Sequence, residues 1–135
     1  MAFYPYSGKI KVEYWPKTAS TALAANSVVA TSSGQLIAAT SSTTANIGVV
    51  LRAVTSASDD YAGTNTLPVV IPQEDTVFIA LATTATTGQV GTVVDLTDAV
   101  TVGTGTSHKV VYVVGYLDST HLLVKLMTPG NTTPS

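Results

Sequence analysis

The stretch Lys109-Val-Val-Tyr-Val-Val-Gly-Tyr-Leu117, Asp118-Ser-Thr120, His121-Leu-Leu-Val-Lys-Leu-Met127 decides the fold class. Two apolar, β-branched runs of strand length joined by three short polar residues predict a hairpin. The same grammar recurs upstream. Residues 27–30 and 35–39 flank Thr31-Ser-Ser-Gly34, where Gly34 supplies the positive φ a hairpin bulge needs. Residues 47–54 read as a strand buried on much of both faces, with Gly48 marking a bulge or a close backbone approach. Residues 67–71 and 76–82 form a wider hairpin about Pro72-Gln-Glu-Asp75, and 92–96 and 99–102 add two shorter runs. About eight short strands with turns between them predict an all-β fold, a small single-domain sandwich or barrel rather than a βαβ unit.

The first 26 residues stand apart. Five of the nine aromatic residues lie there: Phe3, Tyr4, Tyr6, Tyr14 and Trp15, punctuated by Pro5 and Pro16. Residues 9–15 alternate with period two, Ile10, Val12 and Tyr14 on one face and Lys9, Lys11, Glu13 and Trp15 on the other. The lysines and the closing proline are edge-strand features. The predicted organisation is an extended N-terminal arm over 1–26, a β domain over 27–127 and a flexible Pro/Gly/Thr tail over 128–135. The arm is expected to be separable, with the apolar residues of the hairpins holding the domain without it.

Composition excludes several classes. The 135 residues suit one domain, and 45% hydrophobic content supplies a core. Only 10% of residues are charged, against a typical ~25%. The net charge is −2 and the cations are scattered beyond Lys9, Lys11 and Lys17, so no nucleic-acid partner is expected. Without cysteine there is no disulfide, thiolate metal site or cysteine nucleophile. The longest apolar stretch, 110–117, falls far short of the ~20 residues of a membrane-spanning helix, and the start of the chain lacks a basic-then-apolar pattern. A chain rich in Thr (23) and Val (19) and poor in charge favours strands, and its weakly charged surface suggests assembly.

Candidate chemistry is sparse. His108 and His121 sit at turns with no G-x-S-x-G elbow anywhere in the chain, and solvated positions are expected for both. The acidic pairs Asp59-Asp60 and Glu74-Asp75 match no EF-hand loop, so no metal is expected. Gly103-x-Gly105 with Lys109 lacks the Gly-Lys-Ser/Thr ending of a phosphate loop, and Asn131-Thr132-Thr133 fits a glycosylation acceptor without a secretory context. No cofactor and no catalytic residue are assigned. The functional content lies in the arm, whose aromatic residues suit interface anchors and whose strand suits pairing with a partner's sheet edge. Its plainer reading is that Tyr14 and Trp15 cap the domain's own core.

The succession Ala22-Leu-Ala-Ala25, Ser27-Val-Val-Ala30, Ser33-Gly-Gln-Leu-Ile-Ala38 and Ile47-Gly-Val-Val-Leu-Arg-Ala-Val54, with Thr87-Gly-Gln-Val-Gly91 and Val113-Val-Gly-Tyr-Leu117, resembles the capsid decoration (cement) proteins of tailed bacteriophages, including the lambda-type head decoration protein. The resemblance implies a homotrimer on the outer surface of the virion capsid, made in the host cytoplasm, whose arm pairs with edge strands of the major capsid protein and stabilises the shell. It also implies that Phe3, Tyr4, Tyr6, Lys9, Ile10, Val12, Tyr14 and Trp15 contact the capsid. The alternative is a β-rich viral tail, fibre or adhesin domain binding a host glycan, with Tyr61 beside Asp59 and Asp60 as its only candidate site; an enzyme is the third class.

Overall fold

Three valine doublets, Val28-Val29, Val49-Val50 and Val69-Val70, show how the chain is layered. The computed structural model describes residues 3–43 and 46–128. Among them lie twelve strands: β1 (Phe3–Ser7), β2 (Lys11–Pro16), β3 (Ser27–Ser32), β4 (Gln35–Ala38), β5 (Asn46–Val50), β6 (Thr66–Ile71), β7 (Val77–Ala82), β8 (Val93–Val94), β9 (Leu96–Asp98), β10 (Thr101–Val102), β11 (Val111–Asp118) and β12 (His121–Leu126). One short 3-10 turn, Thr87–Gln89, interrupts them. The protein is all-β, with more and shorter strands than the eight expected. The predicted tail lies, past Thr128, outside the described residues.

The strands form two sheets. One runs β2-β6-β5-β3-β4, antiparallel throughout. The other runs β8-β11-β12-β7-β10-β9, with β1 also paired to β7. One edge of β7 meets β12, while β1 takes Val77–Ala80 and β10 takes Leu81 and Ala82 on the other. In each doublet the period of two sends adjacent valines to opposite faces. Val28, Val49 and Val70 pair across neighbouring strands and pack against Phe78, Leu122 and Val124 of the other sheet. Val29, Val50 and Val69 point the other way, into a second core with Leu23, Leu36, Val54 and Leu67. The three middle strands of this sheet, β6, β5 and β3, are therefore buried on both faces, which is why they read as unbroken apolar runs. It curls around the second core until Lys17, one residue past β2, bridges Leu36 of β4 and nearly closes the sheet into a small barrel at that end.

Local chemistry agrees with these placements. Ser33 and Gly34 form a two-residue turn with φ of 52° and 79°, the both-positive pattern that matches strand twist, rather than a bulge. Gly48 allows the close approach expected of it, because a Cβ there would collide with the Val70 carbonyl oxygen. The ladder also slips beside it, between Val29 and Ala30.

The N-terminal segment departs from expectation. Residues 3–16 are not an arm apart from a domain beginning at residue 27. They supply one strand to each sheet. Phe3 is fully buried, its ring edge-on to Phe78 at 6.3 Å and 76°. The crossover between β1 and β2 is stitched down: the Lys9 N–H donates to Asp75 Oδ2 at 3.3 Å, and the Thr76 hydroxyl donates to the Lys9 carbonyl at 2.6 Å. Burying a phenylalanine is favourable enough to hold a terminal strand in place.

Candidate functional site

The outer edge of β2 has the most distinctive geometry on the surface. Lys17 N–H donates to Asn65 O at 3.0 Å, which makes 17 and 65 a hydrogen-bonded pair of the antiparallel ladder with β6. Such pairs alternate, so Trp15/Leu67, Glu13/Val69 and Lys11/Ile71 are bonded as well. Val12, Tyr14 and Pro16 direct their backbone groups the other way. Two prolines agree with this parity. Pro16 and Pro68, which lies opposite Tyr14, both fall where the β2–β6 ladder needs no N–H, and the Pro68 carbonyl instead accepts from Leu51 at 3.0 Å. On the outer side, Thr18 N–H reaches Leu36 O, but β4 begins only at Gln35 and turns back at Ser33-Gly34. Among the described residues, no strand pairs with the outer edge over 10–14.

The side chains over this segment are equally unusual. Ile10 is 47% exposed, Val12 42% and Tyr14 68%, an apolar stripe facing solvent. The opposite face turns inward only at its far end, with Lys9 and Lys11 exposed. Trp15 packs on the second core and donates its indole N–H to Glu13 at 3.1 Å, while Lys11 pairs with Glu13 at 3.1 Å. Lys11, then Trp15, hold the Glu13 carboxyl below its ordinary pKa. Of the eight residues expected to contact a capsid, Tyr4, Tyr6, Lys9, Ile10, Val12 and Tyr14 are exposed. Phe3 is not available, because it belongs to the core between the sheets, and Trp15 is committed largely to the barrel.

Three polar groups that the sequence did not single out hold the loops. Lys17 is fully buried, and its ammonium donates to the carbonyls of Thr18 (3.0 Å), Tyr61 (2.8 Å) and Gly63 (2.7 Å), with the Tyr61 ring 5.9 Å away. Three donors meet three acceptors, so the buried charge is satisfied without a carboxylate in contact. The alternation of 11, 13 and 15 extends to 17 and is the signal that would have placed this lysine inward with Trp15.

Asp95, also buried, accepts the backbone N–H groups of Ser107 (3.1 Å), His108 (2.7 Å) and Lys109 (2.7 Å). Burial pushes its pKa up, but the bonds from Lys109, His108 and Ser107 outweigh it and the carboxyl sits below its ordinary value. The Gly103–Lys109 loop thus does wrap an anion, and the anion is the protein's own carboxylate. His108 Nδ1 stands 3.7 Å from Asp95 Oδ2 and is itself buried, while the side chain as a whole is 35% exposed at the turn. At the last hairpin, Asp118 accepts from the Thr120 N–H and meets His121 Nδ1 at 3.0 Å; the Thr120 backbone first, then His121, bring its pKa down to about 2.

Two of the three candidate glycan residues are engaged internally, while Asp59 is exposed. Asp60 takes a two-pronged bond from Arg52 at 2.7 and 3.1 Å, which lowers its pKa. Tyr61 packs on the barrel core beside Lys17. Among the described residues no group of three His, Asp or Glu side chains is placed to hold a metal ion. No helix of the described residues is long and apolar enough to cross a membrane. No family model, curated protein or solved structure matches the chain.

Proposed function

We propose that the protein is a structural docking module, a capsid decoration protein that binds the outer surface of a phage head through its N-terminal strands and stabilises the shell, with three copies grouped about a symmetry axis. The observation that carries the reading is the outer edge of β2 over 10–14, unpaired among the described residues, beneath the solvent-facing stripe of Ile10, Val12 and Tyr14. An edge with free main-chain donors and acceptors recognises an extended segment of another protein, and the adjoining side chains give it preference. The resemblance of the chain to cement proteins supplies the kind of partner, a strand of the major capsid protein. A weakly charged surface suits dense packing on a shell, and several weak contacts per trimer add through multivalency.

The test is to titrate empty expanded phage heads with the purified chain and record bound copies and the melting temperature of the shell. Saturable binding with a higher shell melting temperature is expected, because a ligand of the intact lattice alone stabilises it. Tyr14→Ala removes the most exposed ring and weakens binding without unfolding the protein. Absence of binding to any head, with binding to a glycan array instead, refutes the reading.

A further inference from the structure

An open strand edge is a hazard for a protein in solution, since it templates pairing with any extended chain. The segment Lys9-Ile-Lys-Val-Glu-Tyr-Trp15 carries features that select one occupant. Its outward backbone groups belong to the even-numbered residues, so an antiparallel copy of the same strand can bond only in registers that set even residues against even ones. Charge then separates these registers. With a two-fold axis at Val12, Ile10 faces the second copy's Tyr14, Lys11 faces the second copy's Glu13, and Lys9 faces the second copy's Trp15. Moving the axis to residue 13 sets Glu13 against its own copy and brings Pro16, which has no N–H, against Ile10. Moving it to residue 11 sets Lys11 against Lys11. Only the Val12 register pairs opposite charges and keeps apolar side chains together on the exposed face.

We propose that the free protein pairs with a second copy of itself along the outer edge of β2, antiparallel, about a two-fold axis at Val12. The pairing forms about six main-chain hydrogen bonds, two at Val12 and two at each Ile10–Tyr14 pair. It covers the stripe's edge until something else takes it. Its release on docking rests on the capsid reading above, since both uses need the same edge and exclude each other; the pairing itself does not. So few residues make a weak, reversible dimer.

Sedimentation of the full chain from ~10 µM to ~1 mM tests this. A monomer–dimer equilibrium is expected. Val12→Pro deletes the donor on the axis yet leaves the β2–β6 ladder complete, as Pro16 already does, so the variant is expected to stay monomeric with its melting temperature little changed. Lys11→Glu and Glu13→Lys each set like charges against each other twice and are expected to weaken the dimer about tenfold. The double reversal restores opposite charges in this register alone and is expected to recover dimerisation.

A monomer at every concentration overturns the proposal. So does a dimer or trimer untouched by Val12→Pro, or a double reversal that fails to rescue. Binding to heads is measured in parallel. A chain that coats heads but never self-pairs loses this proposal and keeps the docking reading, and a dimer that never coats heads does the reverse.

Discussion

Replacing Phe3 by alanine tests whether the N-terminal strand is part of the folded body. The ring is fully buried between the sheets, edge-on to Phe78, in one core with Ala80, Leu122 and Val124. Truncating a buried phenylalanine costs about 3–5 kcal/mol, the sum of lost transfer energy and the cavity left behind. Against a total stability of roughly 5–15 kcal/mol this is a large fraction. At ~3–4 °C per kcal/mol for a domain of this size, a loss near ~4 kcal/mol lowers the melting temperature by ~12–16 °C. Tyr4→Ala is the control. Its side chain lies next in the same strand but points to solvent, and its loss is expected to cost under ~1 kcal/mol. Thermal unfolding followed by far-ultraviolet circular dichroism reads both. If the two variants melt within a few degrees of each other, β1 is an appendage and the packing argument fails. The same reasoning reverses the sequence expectation about truncation: removing residues 1–15 takes a strand from each sheet and is expected to unfold the domain.

Lys17→Met keeps the stem but leaves the Thr18, Tyr61 and Gly63 carbonyls without their donor, and is expected to destabilise by about 3–5 kcal/mol in denaturant unfolding. Asp95→Asn replaces an acceptor of three N–H groups with a side chain that also donates, and should loosen the Gly103–Lys109 loop, seen as faster amide exchange at 107–109. The folded pKa of Asp95 is depressed, so its contribution is full above the ordinary carboxylate value of 3.8 and is lost as pH falls through the folded value; the gap between wild type and Asp95→Asn is expected to shrink in that acid window. Gly48→Ala drives a methyl against the Val70 carbonyl and should cost more than ~2 kcal/mol by thermal melting, whereas Gly34→Ala meets no atom within 4 Å and pays only for its positive φ.

Strand-rich stretches were readable where the chain carries its own punctuation. The final hairpin, the Ser33-Gly34 turn and the tight spot at Gly48 are local features, and local chemistry suffices to place them. β1 escaped because Phe3-Tyr-Pro-Tyr-Ser7 has no apolar alternation of its own, and its partner β7 lies some seventy residues away. The Asp95 cradle is invisible for the same reason: three consecutive amides become an anion site only once the loop folds back on Asp95, between β8 and β9, twelve to fourteen residues earlier. At the outer edge of β2 the alternation of residues 9–15 was legible and its orientation was not. The aromatic at 15 went inward and the one at 14 outward, a choice made by the barrel core rather than by the strand.

The valine doublets that divide the two cores leave the barrel sheet with an ambiguity of register. In most sheets a slip of one residue turns apolar side chains to water and is rejected at once. Here a slip in β3, β5 or β6 exchanges one valine for another and leaves both cores greasy. Hydrophobicity therefore cannot distinguish the native pairing from its neighbours; the discrimination falls to a few non-apolar marks. Gly48 must meet the Val70 carbonyl, Pro68 must sit where no donor is wanted, and Lys17 must find its three carbonyls. A substitution at these marks that keeps every apolar residue is the kind that yields compact, well-populated misfolded states, while a Val→Ile exchange in either core leaves the choice of fold intact.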